Sequence, residues 1–337
     1  MKSRANLKYI TLAQIVGCCL VVLGHSFPFV TPYPLGGVSF VRFLYAFHMP
    51  LFVWCSGFLF AYTEQADRKS FGEYVRQRSA RLLIPYFVLS LVGILPKILA
   101  ASVLNDTLEM DATQLVRAFL VPREGIWGHF WFLPMIYLMG IMGYILDKAF
   151  GSGKTNWTVV TVVAFGLSFV RKDVLEWFAI NDVLHFFIYY SLGVACCRTS
   201  MRKMTRVQMA ISAVGCVTLS VGLFVCINGS VPVVHVRDMA IACLMTASIV
   251  DLCKLAEGEC NIDRTSPLAQ TYQIFILSWP CQLVVGILAE RILHFNWMAF
   301  IPTVFVAGMA LPLVLLRMID LFEKKTNTQI LSFVLGR

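Results

Sequence analysis

Apolar runs of roughly 20 residues follow one another along this chain, separated by short polar breaks in which Lys and Arg collect. A run of that length is what a helix needs to cross a bilayer. Read on length alone, the runs predict ten spans, at Tyr9–Val30, Val41–Tyr62, Leu82–Leu104, Trp127–Leu146, Trp157–Val170, Val183–Cys197, Val207–Ile227, Val233–Leu252, Leu268–Ile292 and Trp297–Phe322. The fifth and sixth are the shortest. The expected fold class is therefore all-α, a polytopic transmembrane helix bundle with about ten spans. The breaks are short except at 63–80 and 105–126, so residues 1–337 are expected to form a single integral-membrane domain.

Composition agrees with the pattern. Hydrophobic residues make up 58% of the chain, charged residues only 14%, and mean hydropathy is +0.74, well beyond a soluble domain. With an even number of spans both termini lie on one side. Placing them in the cytoplasm puts 19 of the 28 Lys and Arg residues on the inner side and 7 on the outer, as the positive-inside rule asks. Lys2, Arg4 and Lys8 precede the first run as they would in a secretory signal, but no small-x-small cleavage site follows, so that helix is expected to be retained. The net charge of +9 sits in inter-helix breaks, which suits an anionic lipid surface and not nucleic acid. The 11 cysteines form no CxxC pair and fall mostly inside apolar runs, which marks them as small packing residues and predicts no metal site.

Against this apolar background the polar residues inside the runs carry the information, because an ionisable group in a membrane is costly unless paired or facing a polar cavity. His25 ends the first run, in Leu20-Val21-Val22-Leu23-Gly24-His25-Ser26. Gln14 stands eleven residues earlier, three turns plus about 20°, so the two share a helix face about 16 Å apart. They would line one transmembrane passage, with Gln14 toward the inner face. His48 follows in Phe47-His48-Met49-Pro50, where Pro50 frees a backbone carbonyl one turn back. It is read either as a site residue or as the group that satisfies that carbonyl. His129, among the aromatics of Trp127-Gly128-His129-Phe130-Trp131, is a third candidate at the same outer depth. Arg78 and Arg81, three apart and hence on one helical face, mark the inner mouth. They suit a phosphate-bearing ligand, and they suit equally an inner-face anchor. Asp182 and His185, three apart, have the spacing of a carboxylate–imidazole pair and equally suit a span-end hydrogen bond.

Together, "LVVLGHS", "FHMPLFVWCSGFLF", "RLLIPYF" and "HFWFLPMIYL", in that order over the first 140 residues or so, resemble the membrane-bound acyltransferase-3 family in its stand-alone form. The resemblance implies about ten helices in a bacterial-type inner membrane. It implies transfer of an acyl group, acetyl or succinyl in type, from cytosolic acyl-CoA to a hydroxyl of a cell-surface or lipid-linked glycan. Acetyl-CoA is the expected donor. His25 matches the family's catalytic histidine, and His48 or His129 would orient it or polarise the acyl carbonyl. Arg78 and Arg81 match its second basic motif at the donor. The family's first basic residue, an Arg or Lys eleven before the histidine, is here Gln14. The chemistry is coherent, since a hydroxyl needs a base titrating near neutrality and imidazole is one. Intramembrane histidines also serve proton-coupled transporters, to which Lys97, Arg237 and Asp238 would contribute, or a catalytically silent membrane sensor. Thioester consumption separates these readings.

Overall fold

A computed structural model describes residues 7–28, 31–104, 112–151, 153–170, 175–199, 204–260, 262 and 265–337, and every regular element in them is helical. The principal helices, in chain order, are α1 (Lys8–Gly24), α2 (Leu35–Tyr62), α3 (Phe71–Arg78), α4 (Ile84–Leu104), α5 (Phe132–Phe150), α6 (Lys154–Leu167), α7 (Ile180–Arg198), α8 (Arg206–Cys226), α9 (Val231–Ala256), α10 (Thr271–Ile287) and α11 (Trp297–Thr326). Lys2, Arg4, residues 105–111 of the predicted outer connection and the Lys97 side chain lie outside the described residues.

The count of ten spans is corrected. Among the described residues, seven helices are long and apolar enough to cross a membrane: Leu35–Tyr62, Gly128–Phe150, Trp177–Arg198, Arg206–Cys226, Val231–Ala256, Thr271–Ile292 and Trp297–Thr326. The predicted first and fifth spans are shortened by the chain itself. α1 has 17 residues and α6 has 14, about 26 and 21 Å at 1.5 Å per residue, against a hydrocarbon core of about 30 Å. The predicted third span opens as a π-helical turn, Ser79–Leu83, before continuing as α4. The protein is an all-α, multi-pass membrane protein.

Residues 1–55 and 201–318 form one compact unit, and residues 56–200 with 319–337 form a second. In the first, Cys18 and Val22 of α1 pack on Ile274 of α10, flanked by Phe52 and by Phe305, Met309 and Leu313 of α11. α8 shows how little of a helix needs protein contact here. A Thr205–Gln208 capping box starts it, with bonds of 3.0 and 3.2 Å, satisfying orphan amides reciprocally. It buries only Ala213 and Ser220, seven residues apart on one stripe, and the Ala213 carbonyl accepts from Ser248 Oγ of α9 at 3.1 Å. Val207, Ile211, Val214 and Val225 are each about two-thirds exposed, an arrangement that lipid accommodates and water penalises.

In the second unit three helices meet at a buried ion pair. Arg198 Nη1 of α7 lies 2.5 Å from Asp147 Oδ1 of α5, with side chains 13% and 4% exposed. Trp157 Nε1 of α6 donates to the same carboxylate oxygen at 3.0 Å, and the Arg198 guanidinium lies over the Trp157 ring. Two charges taken out of water hold only when their remaining hydrogen-bonding capacity is met, and the indole meets part of it. All eleven cysteines are free thiols.

Candidate functional site

α1 stops where its sequence requires. Pro28 disfavours helical backbone at the residue before it, and the chain leaves the helix at His25, whose φ/ψ of −89°/2° is that of a helix end. The residue is partly exposed. Its Nδ1 lies 3.4 Å from Tyr45 Oη, and the Trp279 ring of α10 meets it edge to face, centroids 5.0 Å apart.

His48 belongs to the same unit and is buried at 3% exposure. Its Nδ1 is 2.8 Å from the Leu44 carbonyl. A carbonyl only accepts, so Nδ1 carries the proton and Nε2 the lone pair. The carbonyl expected for His48 was the one Pro50 frees; the carbonyl it takes is two residues earlier. Tyr45 stands between the histidines, its ring 6.1 Å from that of His25 and 4.8 Å from that of His48. Gln14 is partly buried on α1, about three turns before the histidine.

The remaining candidates lie in the second unit. His129 sits in a 3-10 turn, Gly128–Trp131, with its ring 4.5 Å from Phe130. Arg78 and Arg81 do not share a face. The π-helical turn between them is wider than an α-helical one, and it turns Arg78 inward while Arg81 stays exposed. Arg78 Nη2 donates to the Ile136 carbonyl of α5 at 2.5 Å, and its guanidinium lies over the Tyr74 ring. Gly140 makes the approach possible, since any Cβ there would overlap the guanidinium. Burial pushes the Tyr74 phenol above the usual tyrosine range, with the Arg78 charge pulling the other way. Of the two readings of Asp182 and His185, the span-end hydrogen bond is the one seen. Asp182 is held by Arg123, whose Nε and Nη2 reach it at 3.0 and 2.6 Å, and His185 Nδ1 meets the Asn181 carbonyl at 3.2 Å.

Three residues around His25 were not singled out from sequence: Tyr45, Trp279 and Gln282. Gln282 had a signal, as a long amide inside an apolar run beside Pro280, and an amide in lipid must find partners. Trp279 had none, because a tryptophan in a span reads as packing.

The first unit thus holds a partly exposed histidine at a broken helix end, walled by two aromatic rings and a second histidine. An imidazole so placed can take a proton from a hydroxyl. No curated protein and no solved structure matches the chain. A family model described as an acyltransferase domain matches residues 7–317, nearly the whole chain and both units. The protein is a membrane acyltransferase, and it belongs to the acyltransferase-3 family.

Proposed function

We propose that this acyltransferase moves an acetyl- or succinyl-type group from cytosolic acyl-CoA to a hydroxyl of a cell-surface or lipid-linked glycan, in a bacterial-type cell membrane, with His25 as general base. Use of an acyl-CoA donor follows from the family. The observation that carries the rest is the end of α1. His25 is the histidine that leaves its helix, with Tyr45 Oη at Nδ1. A proton on Nδ1, donated to that hydroxyl, leaves the Nε2 lone pair for the acceptor. His25 takes the acceptor's proton as its oxygen attacks the thioester carbonyl. The tetrahedral intermediate then collapses, the C–S bond breaks, and the imidazolium returns the proton to the departing CoA thiolate. His48, whose Nδ1 is occupied by Leu44, supports the first imidazole through Tyr45. On the donor side, exposed Arg81 meets the CoA phosphates, Arg78 backs the surface that carries it, and Gln14 stands where a relative has a cation.

The test pairs two substitutions. General-base help is worth about 10²–10⁴-fold, so His25→Ala loses that much acetyl-CoA consumption while the protein still inserts and binds CoA. His25→Gln keeps a hydrogen bond without proton exchange and is nearly as inactive. A glutamine variant with near-normal turnover and normal expression would refute the base. Mass analysis of surface glycans with and without the protein identifies the acceptor.

A further inference from the structure

The helix end that presents His25 is held by a different helix. In the last turn of a helix the carbonyls lose the amides that would bond them. His25 N turns to the Val21 carbonyl at 3.1 Å and Ser26 N to the Leu23 carbonyl at 3.0 Å. Among the described residues, the Val22 carbonyl between these two receives no backbone amide. Two side chains meet it instead: Ser26 Oγ donates at 2.6 Å and Gln282 Nε2 at 2.8 Å. The second hydrogen on Gln282 Nε2 goes to Ser26 Oγ at 2.9 Å. Val22 and Ser26 are fully buried and Gln282 is 3% exposed, so water does not compete for these bonds.

The network fixes which end of the amide faces α1. The Val22 carbonyl accepts only, so the nitrogen must point at it and Oε1 away, where among the described residues it meets no donor. Gly308 of α11 gives the side chain its path, since a Cβ there would lie 2.7 Å from both Gln282 Cγ and Val22 Cγ1. α10 grips the chain on the far side of His25 as well. The π-helical turn Leu288–Ile292 that ends α10 places Glu290 Oε1 2.6 Å from the Thr31 amide. Trp279, three residues before Gln282, stands against the imidazole itself.

We propose that Gln282 is a positioning residue for His25: its amide sets the direction in which the imidazole leaves α1. This rests on His25 as the base and adds what aims it. A misplacement of about 1 Å costs a reacting group on the order of 10²-fold. Gln282 touches neither the acyl group nor the CoA, so its loss falls on turnover and leaves the donor KM alone.

The experiment uses the full-length protein in membrane vesicles, with acetyl-CoA as the probe and the envelope material of those vesicles as acceptor pool. Gln282→Leu, which keeps bulk and removes the donor, is expected to lower kcat by about 10- to 100-fold with KM for acetyl-CoA within about twofold and normal folded protein. Gln282→Glu, kept protonated in so buried a site, retains one O–H donor for the Val22 carbonyl and is expected to lose less than Gln282→Leu. Ser26→Ala acts on the same carbonyl, so its loss and that of Gln282→Leu combine to less than their product. A second readout does not depend on turnover: the rate at which diethyl pyrocarbonate modifies His25, followed by peptide mass spectrometry with exposed His294 as internal standard. Gln282→Leu is expected to change the His25 rate and not that of His294. Wild-type kcat in a folded Gln282→Leu protein overturns the proposal. So does a loss of activity that only tracks a loss of folded protein with the His25 rate unchanged, since that is a structural tie. If His25→Ala consumes acetyl-CoA like the wild type, the base assignment fails, and the modification rate still decides whether Gln282 orients that imidazole.

Discussion

Arg78 and Arg81 look interchangeable in the sequence, and the structure separates them. Arg78 donates to the Ile136 carbonyl at 2.5 Å, lies over Tyr74 and fills the notch left by Gly140; Arg81 is exposed. A hydrogen bond from a charged donor is worth about 1.5–3 kcal/mol. Arg78→Ala removes one from a partly buried site together with the packed stem, so a stability loss of about 2–3 kcal/mol is expected, read as a lowered unfolding temperature in a fixed detergent. The same 1.5–3 kcal/mol at a CoA phosphate is about 10- to 100-fold in binding. Arg81→Ala is therefore expected to raise KM for acetyl-CoA by that factor, with a smaller change in kcat and unchanged unfolding. Gly140→Ala, which drives a methyl into the Arg78 guanidinium, should reproduce the Arg78 defect at about 1–3 kcal/mol. The reasoning is refuted if Arg78→Ala unfolds like the wild type and raises KM as Arg81→Ala does, because Arg78 would then face the ligand and not α5. An unchanged KM in Arg81→Ala would make Arg81 an inner-face charge anchor.

Two further outcomes are expected. Asp147→Asn strands Arg198 as a buried cation and should cost about 3–5 kcal/mol of stability, while the apolar pair Asp147→Leu with Arg198→Met should restore most of it; a loss under about 1 kcal/mol, typical of exposed pairs, would show that the site is wet. Gln14→Lys restores the charge that the family resemblance implies at that position and should lower KM for acetyl-CoA several-fold through a charge-assisted contact; no change in KM would remove position 14 from the donor site.

The fold class was legible because lipid leaves one large signal, the length of an apolar run, and the runs at α2, α8, α9, α10 and α11 are long and apolar enough to span. The span count was less legible because an apolar run does not say where its helix stops. Tyr9–Val30 reads as one span, yet Pro28 and the turn at His25 end the helix at Gly24. Leu82–Leu104 reads as one α-helix, yet its start is a π turn, and that turn is also why the three-residue spacing of Arg78 and Arg81 misled. His25 was found because a histidine in an apolar run is conspicuous. Its neighbours were missed for opposite reasons. Trp279 is camouflaged by its hydrophobicity, and Tyr45, three residues before His48, reads as one more aromatic in an aromatic run. Local spacing offered Asp182 and His185 either as a pair or as a span-end hydrogen bond, and could not show that Arg123 reaches Asp182 from 59 residues away.

The shortness of α1 ties the proposed base to the architecture. A helix that stops short of a full bilayer crossing brings its unmet carbonyls toward lipid, where no water repairs them. The chain must then supply polar side chains at that depth, and it does so with Ser26 from α1 itself and Gln282 from α10. A full-length, unbroken α1 would need neither, but it would hold His25 against its own backbone, as α2 holds His48 against Leu44. The break that turns an imidazole out of its helix therefore creates the orphan carbonyl that Gln282 fills. One structural demand accounts for a histidine that is partly exposed, a glutamine that is buried, and a glycine at position 308 that lets the two helices meet.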